Sequence, residues 1–174
     1  MKPFLLLSSF AIALAATTPA SAHITLQTGA AAVGSYYKAV LQVPHGCKGA
    51  ATTAIKIRIP EGVISVKPQP KAGWKIDMAR GDYAADYTLH GAKVTSGVKE
   101  LSWTGGPLPD DYYDEFVFHA YLTPGLKAGD KLYFPVVQEC EQGVDRWIDT
   151  SGAKGVENPA PSLKLTPKAS GHHH

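Results

Sequence analysis

Apolar side chains recur at every second position along this chain, in short runs that Gly and Pro interrupt. That period belongs to half-buried β-strands, and stretches with the period of an amphipathic helix are scarce. In the run from Tyr37 to Val43, one face carries Tyr37, Ala39, Leu41 and Val43. Ile55, Ile57 and Ile59 alternate with Lys56 and Arg58, the cleanest strand pattern in the chain. Pro60-Glu61-Gly62 is expected to turn the chain, with Val63 to Lys67 as a short return strand. Beyond the Pro/Gly loop at 68–73, extended segments are expected at Trp74–Met78, Ala84–Leu89 and Val98–Trp103. The longest candidate is Asp114–Leu122, with Phe116, Phe118, Ala120 and Leu122 facing a core and Glu115, Val117, His119 and Tyr121 facing away. Leu132–Gln138 reads as another strand, its Pro135 marking an edge or a bulge, and Val144–Ile148 as a last short one. Roughly eight to ten such strands predict an all-β fold, an antiparallel β-sandwich of immunoglobulin or fibronectin-III character.

The front of the chain has a different logic. Met1-Lys2-Pro3 gives a short basic start, Phe4 to Ala16 is almost continuously apolar, and Ala20-Ser21-Ala22 supplies an A-x-A site. This is the layout of a secretory signal, with the cut expected after Ala22. An apolar run of about 13 residues is short of the ~20 that a spanning helix needs. The expected organisation is therefore a signal peptide at 1–22, one sandwich domain at 23–150, and a flexible tail at 151–174, where Gly, Pro, Ser, Lys and Ala dominate. Export to the periplasm follows from the signal.

A formal net charge of +2 over the 174 residues offers no basic surface for nucleic acid. The two cysteines, Cys47 and Cys140, have no close Cys partner of the C-x-x-C kind. In an oxidising compartment such a pair is expected to form a disulfide, a thiolate metal site being the rival.

Nucleotide-binding and hydrolase motifs are absent from the sequence: there is no P-loop, no G-x-S-x-G and no HExxH. The unusual feature is His23, which the cut would leave as the first residue. Its α-amine and imidazole Nδ1 would close a six-membered ring on one metal ion, and the amine, with a pKa of about 7.7–8, gives up its proton near neutral pH. Nitrogen donors beside a carboxylate suit Cu(II). Soft donors for Cu(I) are missing, because Met78 is the only methionine after the cut. Glu115 is the carboxylate candidate, with Asp110, Asp111 and Asp114 competing from the same loop. His45, His90 and His119 read as ordinary surface or hydrogen-bonded histidines, and Trp147 either as core or as a roof over a site. The ending His172-His173-His174 is a tag remnant or a native metal-collecting tail.

The ordered set of His23 after A-x-A, Pro44-His45-Gly46-Cys47, Ile59-Pro60-Glu61-Gly62-Val63, Gly73-Trp74, Tyr113-Asp114-Glu115-Phe116, the run from Phe134 to Cys140 and Gly143 to Trp147 resembles the YcnI-like family of exported bacterial copper-binding domains. The resemblance covers His23 to about Asp149. It implies a β-sandwich that holds one Cu(II) in a mono-histidine brace. By that likeness His23 gives amine and imidazole, Glu115 is the metal carboxylate, and Trp147 lies close to the metal. The pair Cys47 and Cys140 fits a subset of members that carry two cysteines.

The expected function is a non-enzymatic Cu(II) chaperone, carrier or buffer of the bacterial cell envelope. Its partners would be the copper ion and other envelope copper-handling proteins, with no nucleic acid and contact with the membrane only through a partner. Two alternatives remain at this point. A copper polysaccharide monooxygenase would need a second histidine, His119 or His45. A plain adhesion or interaction domain would need no metal.

Overall fold

The alternation at 37–43 and 114–122 builds the centre of one sheet. In the computed structural model of the chain, which describes residues 23–168, twelve strands follow in order. They are β1 (Thr25–Leu26), β2 (Ala30–Ala32), β3 (Ser35–Val43), β4 (Thr52–Arg58), β5 (Val63–Pro68) and β6 (Trp74–Leu89). The second half supplies β7 (Ala92–Leu108), β8 (Asp114–Leu122), β9 (Lys131–Tyr133), β10 (Val136–Cys140), β11 (Val144–Trp147) and β12 (Ser162–Thr166). One sheet has the order β1-β3-β8-β5 and the other β11-β10-β4-β7-β6; a small third sheet joins β2, β12 and β9. The signal segment and His172–His174 lie outside the described residues.

The core sits between the two larger sheets. Ala39 pairs with Phe118 and Leu41 with Phe116 across β3 and β8, and all four are fully buried. Ile55, Ile57, Leu101, Trp103 and Val136 come from the other sheet, also without exposure. Phe116 joins the layers, meeting Trp103 at 5.5 Å and Trp74 at 4.9 Å between ring centroids, both edge-on. Edge-to-face contacts of this kind add to the burial of large rings. The all-β sandwich expected from the alternation is the fold observed, and β8 has the expected bounds.

Four local expectations need correction. The segment 60–62 does not return the chain beside β4; β5 pairs with β8 in the opposite sheet, Val63 against Leu122. Gly62, at φ 87°, makes this crossover, and a Cβ there would stand 2.6 Å from the Leu126 side chain. Residues 132–138 are two strands rather than one: at Phe134-Pro135 the chain leaves the small sheet and enters the large one, since Pro lacks the N–H a continuous ladder needs. Trp74–Met78 and Ala84–Leu89 belong to a single long β6, paired with β7 through shifts in register at Ala79/Arg80 and Asp82/Tyr87. The tail is ordered further than expected: Leu163 and Leu165 are buried, while β12 pairs parallel with β2 and antiparallel with β9. The alternation of Leu163, Lys164 and Leu165 carries that strand within an otherwise polar stretch.

The outer half of the β6–β7 hairpin turns at His90 and Gly91, with φ 49° and 78°. A two-residue turn with both φ positive matches the twist of a hairpin. This arm is tied down by Glu61, whose carboxylate accepts hydrogen bonds from the Ala84 amide, the Tyr87 hydroxyl and Lys99 Nζ at 3.1, 2.8 and 2.8 Å. Burial raises the Glu61 pKa, but the bonds from Lys99, Tyr87 and Ala84 outweigh it, and the net value lies below that of an ordinary carboxylate. Burial and the bond to Glu61 push the Tyr87 hydroxyl up to about 12. Because the folded value is depressed, Glu61 stabilises the fold above the unfolded carboxylate pKa, and that contribution is lost as pH falls through the folded value. Glu61→Gln should lower stability near neutral pH by about 1 kcal/mol, discounted for solvent screening. Urea unfolding at pH 7 and pH 3 checks this: the gap between the two proteins should close at the lower pH.

Candidate metal centre

The register across β1, β3 and β8 sets the geometry at one end of the first sheet. Thr25 stands opposite Gln42, and Gln42 opposite Glu115. Directly opposed residues of antiparallel strands point to the same face, so these three share the outer surface. Thr25 Oγ1 donates to Gln42 Oε1 at 3.3 Å. Gln42 Nε2 donates to the Tyr113 hydroxyl at 3.1 Å, and that hydroxyl donates to Glu115 Oε1. Burial and the bond to Glu115 raise the Tyr113 pKa. Glu115 is therefore held by a line of side chains that begins on β1 at Thr25.

His23 lies two residues before Thr25, at the end where β3 runs out into Pro44-His45-Gly46. Its half-buried ring meets the edge of Trp147 at 5.8 Å between centroids, with the planes 82° apart. β1 is an edge strand of its sheet and β11 an edge strand of the other, so this contact bridges the two sheet edges. Trp147 is 4% exposed; it belongs to the core and also roofs His23. The sequence posed these as alternatives, and at an edge strand they coincide.

Two of the competing carboxylates are already engaged, Asp114 by Lys71 and Asp110 by the backbone next to His45. Asp114 pairs with Lys71 Nζ at 2.6 Å and accepts the Glu115 amide, while Asp110 accepts the Gly46 amide at 2.8 Å. His119 and His90 lie on another part of the fold. His119 stacks on Tyr36 at 5.0 Å, and His90 Nε2 bonds the Tyr36 hydroxyl at 2.8 Å. His45 does come to the site, its ring 6.4 Å from that of Trp147. Cys47 and Cys140 form the expected disulfide, which removes the thiolate rival.

Among the described residues, no three His, Cys, Asp or Glu side chains gather into a group that could hold a metal ion. A metal near His23 and Glu115 thus requires a further donor. The His23 nitrogen can be that donor once the peptide bond to Ala22 is cut, since an amine coordinates and an amide N–H does not. The donors then available are amine, imidazole and carboxylate, a set that fits Cu(II).

Gln138 is the residue that sequence reasoning missed. It sits on an inward position of β10, fully buried. Its amide donates to the His45 carbonyl at 2.7 Å and to Thr52 Oγ1 at 2.8 Å, and its carbonyl accepts the Trp147 indole N–H at 3.0 Å. One side chain thereby fixes both Trp147 and the backbone of His45. A glutamine where the alternation demands an apolar residue, after Val136-Val137, was the available signal. Gln138→Leu strands the buried Thr52 hydroxyl and Trp147 indole N–H and frees the part-buried His45 carbonyl, and should cost about 2–4 kcal/mol, measured by urea unfolding.

Comparison with known proteins sets these residues in context. Residues 23–165 match the family described as "Domain of unknown function (DUF1775)"; the match begins at His23 and ends in β12. Over 104 residues the chain is 32% identical to the "Copper-binding protein CutI" of Bacillus subtilis (strain 168), covering 60% of this chain and 45% of that protein. The matched region thus spans less than half the length of that relative. A crystal structure of an uncharacterized protein from Nocardia farcinica, described as having an immunoglobulin-like fold, superposes with a TM-score of 0.63 at 25% identity. It covers 83% of this chain and 98% of that one.

Proposed function

The chain belongs to the DUF1775 family, the YcnI-like domains that it resembles, and on that premise we propose that it is an exported Cu(II)-binding protein. Its N-terminal signal is removed after Ala22 in the periplasm of a bacterium, and the new terminus at His23 takes up one copper ion. The ion is cargo rather than a catalytic cofactor, and the protein serves the cell envelope as carrier, chaperone or buffer, exchanging copper with other copper-handling proteins. The relative named for copper binding supports the metal, and the A-x-A site supports the compartment.

The observation that carries the reading is the position of His23 against Trp147 at one sheet end, with Glu115 fixed two strands away on the outer face. His23 would chelate through amine and imidazole. Glu115 would complete the site through a carboxylate already oriented by Tyr113. Trp147 shields one side of the imidazole and limits its motion, so less freedom is lost on binding. Copper bound by few protein donors exchanges readily with a partner's ligands, as transfer requires.

A domain starting at His23 and ending at Lys168, which removes His172–His174, should bind one Cu(II) by calorimetric titration. Glu115→Gln should weaken that binding by about tenfold or more, in line with the loss of a charged ligand. Unchanged affinity in Glu115→Gln would remove Glu115 from the site.

A further inference from the structure

The outer part of the β6–β7 arm packs against β5, the edge strand of the first sheet, and a cavity of about 260 Å³ lies between them. Val66, Leu89, Val94 and Val98 give it apolar walls, and the only charged residues lining it are Lys67 and Arg80. Neither cation has an ion-pair partner among the described residues. Glu61, the carboxylate whose charge reaches this region, is already taken by Lys99 at 2.8 Å.

Both cations stand at irregular points of their strands. The register of β5 shifts between Ile64 and Lys67, and that of β6 between Ala79 and Arg80. Within the first shift Ser65 has φ 55°, a left-handed value that is uncommon outside glycine. Bulges of this kind re-aim the side chains beside them, and the two cations beside these ones line a single cavity.

A third group is buried. Tyr83 is 9% exposed, and its hydroxyl has no hydrogen-bond partner among the described residues. Its ring is fixed by an edge contact with Tyr87 at 5.4 Å and by Lys99 Nζ over its face at 5.2 Å. Gly97, which also lines the cavity, meets that hydroxyl: a Cβ there would stand 1.8 Å from it. A glycine inside a strand weakens the strand and marks a place of close approach. Burial raises the Tyr83 pKa and the Glu61 charge adds to this, so the hydroxyl keeps its proton and is a donor. A buried donor without an acceptor is costly, and an acceptor carried by a ligand would remove that cost.

From this geometry we propose that the cavity binds a small organic anion, a carboxylate carried on a short apolar body. The body lies against the valines and Leu89, the Tyr83 hydroxyl donates to the carboxylate, and Lys67 and Arg80 offset its charge. A concave, mainly apolar cavity with a few convergent polar groups is the usual form of a small-molecule site. None of these residues belongs to the proposed copper site, so the two proposals stand or fall separately.

The test titrates the isotope-labelled chain from His23 onward and follows its backbone amides by nuclear magnetic resonance. The probes are hexanoate, acetate (the charge without the body) and hexylammonium (the body with the opposite charge). Hexanoate should shift the amides of Lys67, Tyr83 and Gly97 saturably, with a Kd on the order of a millimolar, as so small a ligand allows. Acetate and hexylammonium should bind at least about tenfold more weakly. Lys67→Gln combined with Arg80→Gln should weaken hexanoate binding about tenfold, and Tyr83→Phe about fivefold. Tyr83→Phe keeps the ring and removes a hydroxyl that has no partner, so it should melt no lower than wild type. Absence of a saturable hexanoate shift, an equal response to hexylammonium, or wild-type hexanoate binding in either folded variant would overturn the proposal.

Discussion

Retaining Ala22 in front of His23 should weaken Cu(II) binding by at least about a hundredfold, although the extended protein keeps every side chain of the site. The added residue turns the His23 amine into an amide and destroys the six-membered ring formed by amine, Cα, Cβ and imidazole. An α-amine with a pKa of about 7.7–8 yields its proton to a metal at neutral pH, whereas an amide N–H holds its proton far more tightly. A hundredfold loss corresponds to about 2.7 kcal/mol. His23→Ala tests the other half of the ring, keeping the amine and removing the imidazole, with a loss of the same order. The two variants should retain the far-ultraviolet spectrum of a β-sandwich, because His23 precedes β1. If both bind copper as tightly as the domain starting at His23, copper is held elsewhere and the brace is wrong.

Replacing Cys47 and Cys140 together by serine should cost about 4–5 kcal/mol, the chain-entropy value for a crosslink of this span, here a sequence separation of 93. That is a large part of the stability of an ordinary domain, so the variant should unfold at a much lower urea concentration. The effect should reach the proposed copper site. Cys140 lies two residues after Gln138 and Cys47 two residues after His45, so the bond ties together the two segments that position Trp147 and the His45 loop. Tryptophan fluorescence of the folded variant should report a loosened Trp147. A loss of less than about 1 kcal/mol would show that the hydrogen bonds of Gln138 and the β4–β10 ladder hold these segments without the covalent link.

What could be read from the sequence follows the burial of each element. β3, β4 and β8 were legible because one face of each is fully buried and the other, apart from Val40, Thr52 and Ala54, is not, which prints the two-residue period into Tyr37 to Val43, Ile55 to Ile59 and Phe116 to Leu122. In the outer β6–β7 arm only Ala84–Leu89 was legible; residues 79–83 and 92–97 were not, because both faces of the arm are largely exposed and nothing forces apolar residues to alternate. β12 was hidden for another reason: two buried leucines in a polar stretch carry too little signal against its composition. The crossover from β4 to β5 could not be told from a hairpin, since Pro and Gly mark both.

The site divides in the same way. His23 is proposed from its place behind an A-x-A pattern, whereas the face of Glu115 was legible from the alternation that puts Phe116 in the core. The separation of Asp114 from Glu115 also depends on Lys71, a contact across 43 residues that no local pattern reveals. Gln138 and His45 act through a hydrogen-bond arrangement assembled from β4, β10, β11 and the loop after β3, and such an arrangement has no sequence spacing to search for.

The most direct measurement is the intact mass of the protein recovered after export from a bacterial host, taken under native conditions before and after one equivalent of Cu(II). The account predicts a chain that starts at His23, gains the mass of one copper ion, and loses that gain when His23 is replaced by alanine in the tail-deleted protein. A chain that starts elsewhere and takes up copper equally well would contradict it, as would a chain that starts at His23 and retains none.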